Sequence, residues 1–256
     1  MLSFQRNDKI LEYVNSREIC TIDELAEKFR ASNVTIHRIL NAFQDEGYVE
    51  KVRGGVKALV QPQGPEKRFD IRCKRHVLEK KKIAANAMQH IRDASTIFID
   101  SSSTSVYFAR EIIEKFQGQI TVVTNSPIIL YEMLHSPNIN VISTGGELQY
   151  ELNALVGSHA LEVTKNMQFS SVFFSVSGVS LERGMTTAQS SLAEMVRTVC
   201  DRTDDVNLLV DSSKFSSVAP LVIGDLTMAN RIFSDSKLSQ DIIGQLGKMG
   251  IEVQIA

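Results

Sequence analysis

TIDELAEKFRASNVTIHRILN, residues 21–41, decides how the front of this chain reads. Ile22, Leu25, Ala26 and Phe29 recur at i, i+3, i+4 and i+7, which is one apolar face of a short helix. Thr21 stands where an N-cap belongs, and Asp23 and Glu24 occupy the first turn, where the helix dipole favours negative charge. Arg30-Ala31-Ser32 supplies a tight turn, with Ser32 as the cap of a second helix. In that helix Val34, Ile36, Ile39 and Leu40 are expected to make the apolar contacts, leaving Ser32, Asn33, Thr35, His37 and Arg38 on the outer side. A helix that enters a DNA major groove needs this division: a rear face docked on the preceding helix, and polar side chains toward base edges and phosphates. A plain helical hairpin in a small core has the same pattern, so the flanks must decide.

Ile10, Leu11 and Val14 give residues 6–15 one apolar face, a first helix. Behind the pair, Gly47 is placed to end a helix, and Tyr48–Val52 reads as a strand. Gly54-Gly55 reads as a turn and Val56–Val60 as a return strand. Three helices and a small hairpin make a winged helix-turn-helix over residues 1–60. Those residues carry nine cations and nine anions, but Arg30, Arg38, Lys51, Arg53 and Lys57 lie at or after the turn. That distribution leaves one basic face, to which Lys51 and Arg53 of the wing belong. Taken singly, each is an ordinary solvated charge.

Gln61-Pro62-Gln63-Gly64-Pro65 breaks regular structure, and residues 61–82 hold eight cations against three anions. They read as a basic linker, either touching phosphates or acidic patches or simply solvated. From residue 83 to 256 the pattern alternates strand and helix. Strands are expected at 96–99, 120–123, 140–143, 172–176, 206–210, 231–233 and 251–255. Helices are expected at 103–116, 128–134, 159–165, 191–202 and 238–249. Such alternation predicts a mainly parallel α/β sheet covered on both faces.

The whole chain, 256 residues at 43% hydrophobic and net charge −2, is long enough for two cores. No apolar run spans a bilayer and no signal-peptide pattern opens the chain, so no membrane partner and a cytoplasmic location are expected. Cys20, Cys73 and Cys200 form neither a metal motif nor a disulfide framework, and His37, His76, His90, His135 and His159 lack ligand spacing. No metal and no cofactor are expected.

In open α/β sheets, ligands bind beyond the carboxyl ends of the strands. Here those ends run into Asp100-Ser101-Ser102-Ser103-Thr104-Ser105, Thr124-Asn125-Ser126, Thr144-Gly145-Gly146, Ser177-Gly178 and Asp211-Ser212-Ser213-Lys214. Hydroxyls, loop N–H groups and a helix N-terminus suit an anion; Lys214 adds a point charge, and Asp100, Asp211 and Asn125 suit hydroxyl groups. Ordinary strand-to-helix capping explains any one such turn, but less readily five at five strand ends. Asp100, Asp211 or Glu147 leaves an isomerase base open as an alternative. Nothing pairs a nucleophile with a histidine.

On these pieces the chain resembles the DeoR/GlpR family of bacterial transcriptional regulators. IDELAEKFRASNVTIHRIL with Gly54-Gly55 matches at the front. FIDSSSTS, TVVTNS, Gly145-Gly146, Gly157, SGV at Ser177–Val179 and DSSKF at Asp211–Phe215 match behind. The resemblance implies a winged helix-turn-helix joined to an effector domain of ribose-5-phosphate-isomerase-like fold. It further implies a homo-oligomer (dimer or tetramer), usually a repressor of carbohydrate genes, that binds an operator in double-stranded DNA and a small phosphorylated metabolite. Asp100, Ser102, Ser103, Thr104, Thr124, Asn125, Gly145, Gly146 and Lys214 would line the effector site. The chain departs from the pattern at His37 and Ile39 in the recognition helix, and at Ser102, Ser170, Leu192 and Val196 behind, which leaves operator and effector open. A non-enzymatic regulator is the reading adopted. The alternatives are a sugar-phosphate isomerase with a DNA-binding appendage and a DNA-bound scaffold with a decayed pocket.

Overall fold

Thr21 caps the helix α1 (Ile22–Lys28) by accepting the Glu24 N–H at 3.2 Å. Its far end closes with two bonds, Arg30 N–H to Glu27 O at 3.3 Å and Ala31 N–H to Ala26 O at 3.0 Å. Arg30 takes the left-handed conformation there, φ 47, where glycine is usual. The chain then re-enters a helix, α2 (Asn33–Asp45), at Ser32, whose Oγ accepts the Thr35 N–H at 3.2 Å. The computed structural model describes residues 9–10, 13–14, 16–17, 19–45, 49–58 and 69–256. Most of the expected helix at 6–15, Gly47, Tyr48, the Gln61–Pro65 breaker, Lys67 and Arg68 lie outside them. The chain divides into two compact units, Met1–Val77 and Leu78–Ala256.

In the first unit Leu25, Ile36 and Leu40 are fully buried, Ile39 and Phe43 nearly so, and they pack with Ile10, Val14, Cys20, Val49 and Val56. One expectation is overturned. Val34 is 79% exposed, because at 3.6 residues per turn it falls on the face opposite Ile36, Ile39, Leu40 and Phe43. The wing has a strand the sequence did not announce: β1 (Ile19–Thr21) pairs with β3 (Gly55–Ala58), which pairs with β2 (Val49–Val52). The turn is Arg53-Gly54, and Gly55 already lies in the strand. A Cβ at Gly55 would collide with the Cys20 carbonyl oxygen, so the close approach of β1 requires glycine there.

The second unit opens with α4 (Val77–Met88), following the short α3 (Phe69–Lys74) of the first. Lys80, Ile83, Ala84 and Ala87 are buried along one face of α4. The first five strands of the main sheet are β4 (Ser95–Ile99), β5 (Ile120–Thr124), β6 (Ile139–Ser143), β9 (Ser171–Phe174) and β12 (Val206–Leu209). With β14 (Arg231–Ser234) and β15 (Glu252–Ile255) they form a seven-stranded sheet in the order β15-β14-β12-β9-β4-β5-β6. Every pairing is parallel. Ile97, Phe98, Ile99, Phe173 and Phe174 are fully buried, as both faces of such a sheet must be. The covering helices include α5 (Ser103–Lys115), α6 (Pro127–Glu132), α7 (Ser158–Lys165), α8 (Ser190–Cys200) and α9 (Gln240–Lys248).

Two further pieces interrupt the alternation. β7 (Glu147–Gln149) and β8 (Ala154–Val156) form a hairpin. β10 (Gly178–Ser180), β11 (Gly184–Thr187) and β13 (Leu221–Gly224) form a small antiparallel sheet. The sequence reading announced neither piece. Among the described residues no helix is long and apolar enough to cross a membrane.

Candidate functional site

In the first unit the outer face of α2 carries Val34, His37, Arg38 and Asn41, all exposed. The structure sorts the residues expected to meet DNA into two groups. Some are engaged within the unit: the Ser32 and Thr35 hydroxyls share a hydrogen bond of 2.9 Å, and Asn33 donates from Nδ2 to Asp23 Oδ1 at 2.9 Å. Lys51 donates from the wing to Asn41 Oδ1, tying β2 to α2. His37, Arg38 and Arg53 are exposed, and among the described residues no hydrogen bond or ion pair holds Arg38 or His37. A guanidinium projecting from the first turns of such a helix is chemically equipped to grip a guanine edge or a phosphate.

In the second unit strand order reverses between β4 and β9, since β5 and β6 lie on one side of β4 and the later strands on the other. Such a switch point is where open sheets hold ligands. Asp100 bridges it. The Ser105 hydroxyl donates to its Oδ1, and the Ser175 N–H to its Oδ2 at 3.3 Å. Ser102 caps α5, accepting the Ser105 N–H at 3.2 Å, and donates to Ser105 Oγ at 2.9 Å. Ser103 and Thr104, both buried, form the helix's first turn, whose N–H groups have no partner inside the helix. Asp100 thus organises the loop from behind.

Burial pushes the Asp100 carboxyl above its usual range, against the lowering pull of hydrogen bonds from Ser105, Ser102 and Ser175. A carboxyl raised on folding binds more proton in the native state. Its stabilising contribution is therefore complete below the unfolded value, about 3.9, and is lost as pH rises through the folded one. Asp100→Asn, neutral throughout, is expected to remove that loss. Thermal melts of both proteins between about pH 4 and pH 8 check it, and identical pH profiles would refute it.

The next loop is held from the far side by the hairpin. Leu155 N–H donates to Asn125 O at 2.8 Å, Asn125 Nδ2 donates to Leu155 O at 3.3 Å, and Asn153 Nδ2 donates to Ser126 Oγ at 3.0 Å. Thr124 is fully buried, its Oγ1 accepting the Ser126 N–H at 3.1 Å. Asn125 is 1% exposed, and its Oδ1 has no hydrogen-bond partner among the described residues. A buried acceptor left unmatched costs about 1–3 kcal/mol, which a ligand hydroxyl would recover.

Gly145 (φ 62) and Gly146 (φ 105) carry β6 into β7. The His159 ring lies beside Gly145, within 3.0 Å of where a Cβ would stand. Asp211 is 2% exposed and caps the turn Ser212–Ser216, accepting the Ser213 N–H at 3.0 Å; it is spent on structure. Lys214 sits half-buried on that turn, at the same edge of the sheet because the strands are parallel. Sequence reasoning did not single out Asn153 or Ser175; it quoted Ser126 only as part of a polar strand end and set His159 aside for want of ligand spacing. Only Asn153 carried a signal, as the kind of residue that accepts a left-handed conformation (φ 55). Among the described residues no cluster of three or more metal-binding side chains occurs.

The family model described as the DeoR C terminal sensor domain matches residues 75–236, and that of the DeoR-like helix-turn-helix domain residues 6–61. The HTH-type transcriptional regulator GolR of Listeria innocua is 28% identical over 259 residues, 100% of each chain. The L-fucose operon activator of Escherichia coli is 29% identical over 233 residues, 91% of this chain and 95% of that one. A ribose 5-phosphate isomerase A from Methanocaldococcus jannaschii superposes with TM-score 0.39 at 16% identity, over 53% of each chain.

Proposed function

Given that the chain belongs to the DeoR family of DNA-binding transcriptional regulators, we propose that it is a repressor of carbohydrate-metabolism genes. In this reading a phosphorylated sugar, bound at the carboxyl ends of β4, β5, β6 and β12, releases it from its operator. The observation that carries this reading is the pairing of two ligand-seeking features at one sheet edge. The first-turn N–H groups of Ser103 and Thr104 suit a phosphate, and the unmatched Oδ1 of Asn125 suits a sugar hydroxyl. Lys214 adds charge, and the Gly145–Gly146 loop brings backbone close. Ser102 and Asp100 hold this cradle in shape.

Regulation then follows as a population shift. The ligand favours one arrangement of a homo-oligomer, and that arrangement sets the spacing of the reading helices, about 34 Å or a multiple for two half-sites. The E. coli relative is named an activator, so the sign of the response is part of the test.

The full chain is used to select duplexes from a random pool, and its affinity for the winner is followed while sugar phosphates are titrated. Release on binding one of them is expected. Lys214→Ala is expected to keep the DNA affinity but to need at least about tenfold more ligand, the worth of a charge-assisted hydrogen bond. No response to any sugar phosphate would overturn the effector assignment. A normal response from Lys214→Ala would remove that residue from the site.

A further inference from the structure

Val34 is the most exposed of the large apolar side chains among the described residues. At 79% exposure, Val34 holds both methyl groups in water at the second position of α2. No core residue needs it, since Ile36, Ile39, Leu40 and Phe43 close the other face. Its polar neighbours are largely occupied: Ser32 with Thr35, Asn33 with Asp23, and Asn41 with Lys51. What α2 leaves free for a partner is an apolar knob one turn ahead of His37 and Arg38.

The first turn of a reading helix is the part that meets base edges. In the major groove thymine alone presents a methyl group, and an apolar side chain is what recognises it. We propose that Val34 is a specificity-determining residue that reads a thymine through its 5-methyl group. This rests on the DNA-reading function proposed above.

The test uses the full chain and the duplex it selects. Each thymine is replaced in turn by deoxyuridine, which lacks only the 5-methyl. At least one replacement per half-site is expected to weaken wild-type binding roughly fourfold, the worth of one buried methyl-sized group. Val34→Ala is expected to bind the thymine duplex as weakly as the wild type binds the uracil one, and to be indifferent to that replacement. Because Val34 supports no core, Val34→Ala should melt with the wild type, which separates a reading defect from a folding one. If every replacement is neutral for the wild type, or if Val34→Ala stays as methyl-sensitive as the wild type, the assignment of Val34 is overturned while DNA reading stands. If no duplex is enriched at all, DNA reading fails and Val34's role with it.

Discussion

Arg38→Ala is expected to weaken binding to the selected operator by roughly 1–3 kcal/mol, a factor of about 5 to 150. Arg38 is exposed on the outer face of α2, and no hydrogen bond or ion pair among the described residues holds it. Its removal should therefore leave the fold alone and act on the complex. Arg38→Lys separates the two ways the residue can act. A bidentate grip on guanine needs the planar fork, so lysine would not restore it. A phosphate contact needs mainly charge, so lysine would largely restore it, and alanine would weaken all sequences alike and flatten the salt dependence. Unchanged affinity of Arg38→Ala in a fluorescence-anisotropy titration would take Arg38 out of the interface.

Gly146→Ala should be the more damaging of the two glycine changes at the end of β6. Gly146 has φ 105, which an alanine adopts only under strain, and its new Cβ would drive into the Val156 carbonyl oxygen and lie 3.0 Å from Ala160 Cβ. The obstacle is backbone, in the first pair of the β7–β8 hairpin, Glu147 with Val156. Strain and overpacking together cost about 3 kcal/mol, which in a unit of this size lowers the melting temperature by about 6–12 °C. The hairpin also holds the Asn125 loop through Leu155, so the ligand response should be lost before the fold is. Gly145→Ala is the control. Its φ of 62 lies in the left-handed region, and its Cβ would meet only the His159 ring, a side chain that can turn away. It should cost about 1–2 kcal/mol. Equal melting temperatures for the two variants would show that the Val156 approach is not as tight as drawn.

Much of this architecture was legible before any coordinates. The two caps Thr21 and Ser32, the apolar stripe of α1 and the seven strands of the parallel sheet all follow from local rules. Periods of 3.6 and 2, a hydroxyl ahead of a helix and a glycine at a turn are written within a few residues of one another. The polar strand ends were legible for the same reason. Tertiary structure alone decided which of those polar groups are already spent. Asp100 and Asp211 look like ligand acceptors in the sequence, yet both are buried and turned to internal N–H and hydroxyl groups. Asn125 looks no different from Thr124, yet Thr124 Oγ1 accepts the Ser126 N–H while Asn125 Oδ1 has no partner among the described residues. Val34 reads as core and stands in solvent. Asp211 is taken up locally, by Ser213 two residues on, but the other outcomes depend on a partner distant in the chain or on the opposite side of a helix, such as Ser175 for Asp100 or Leu155 for Asn125. A hydrogen bond is settled by where two segments meet, and only the fold brings them together.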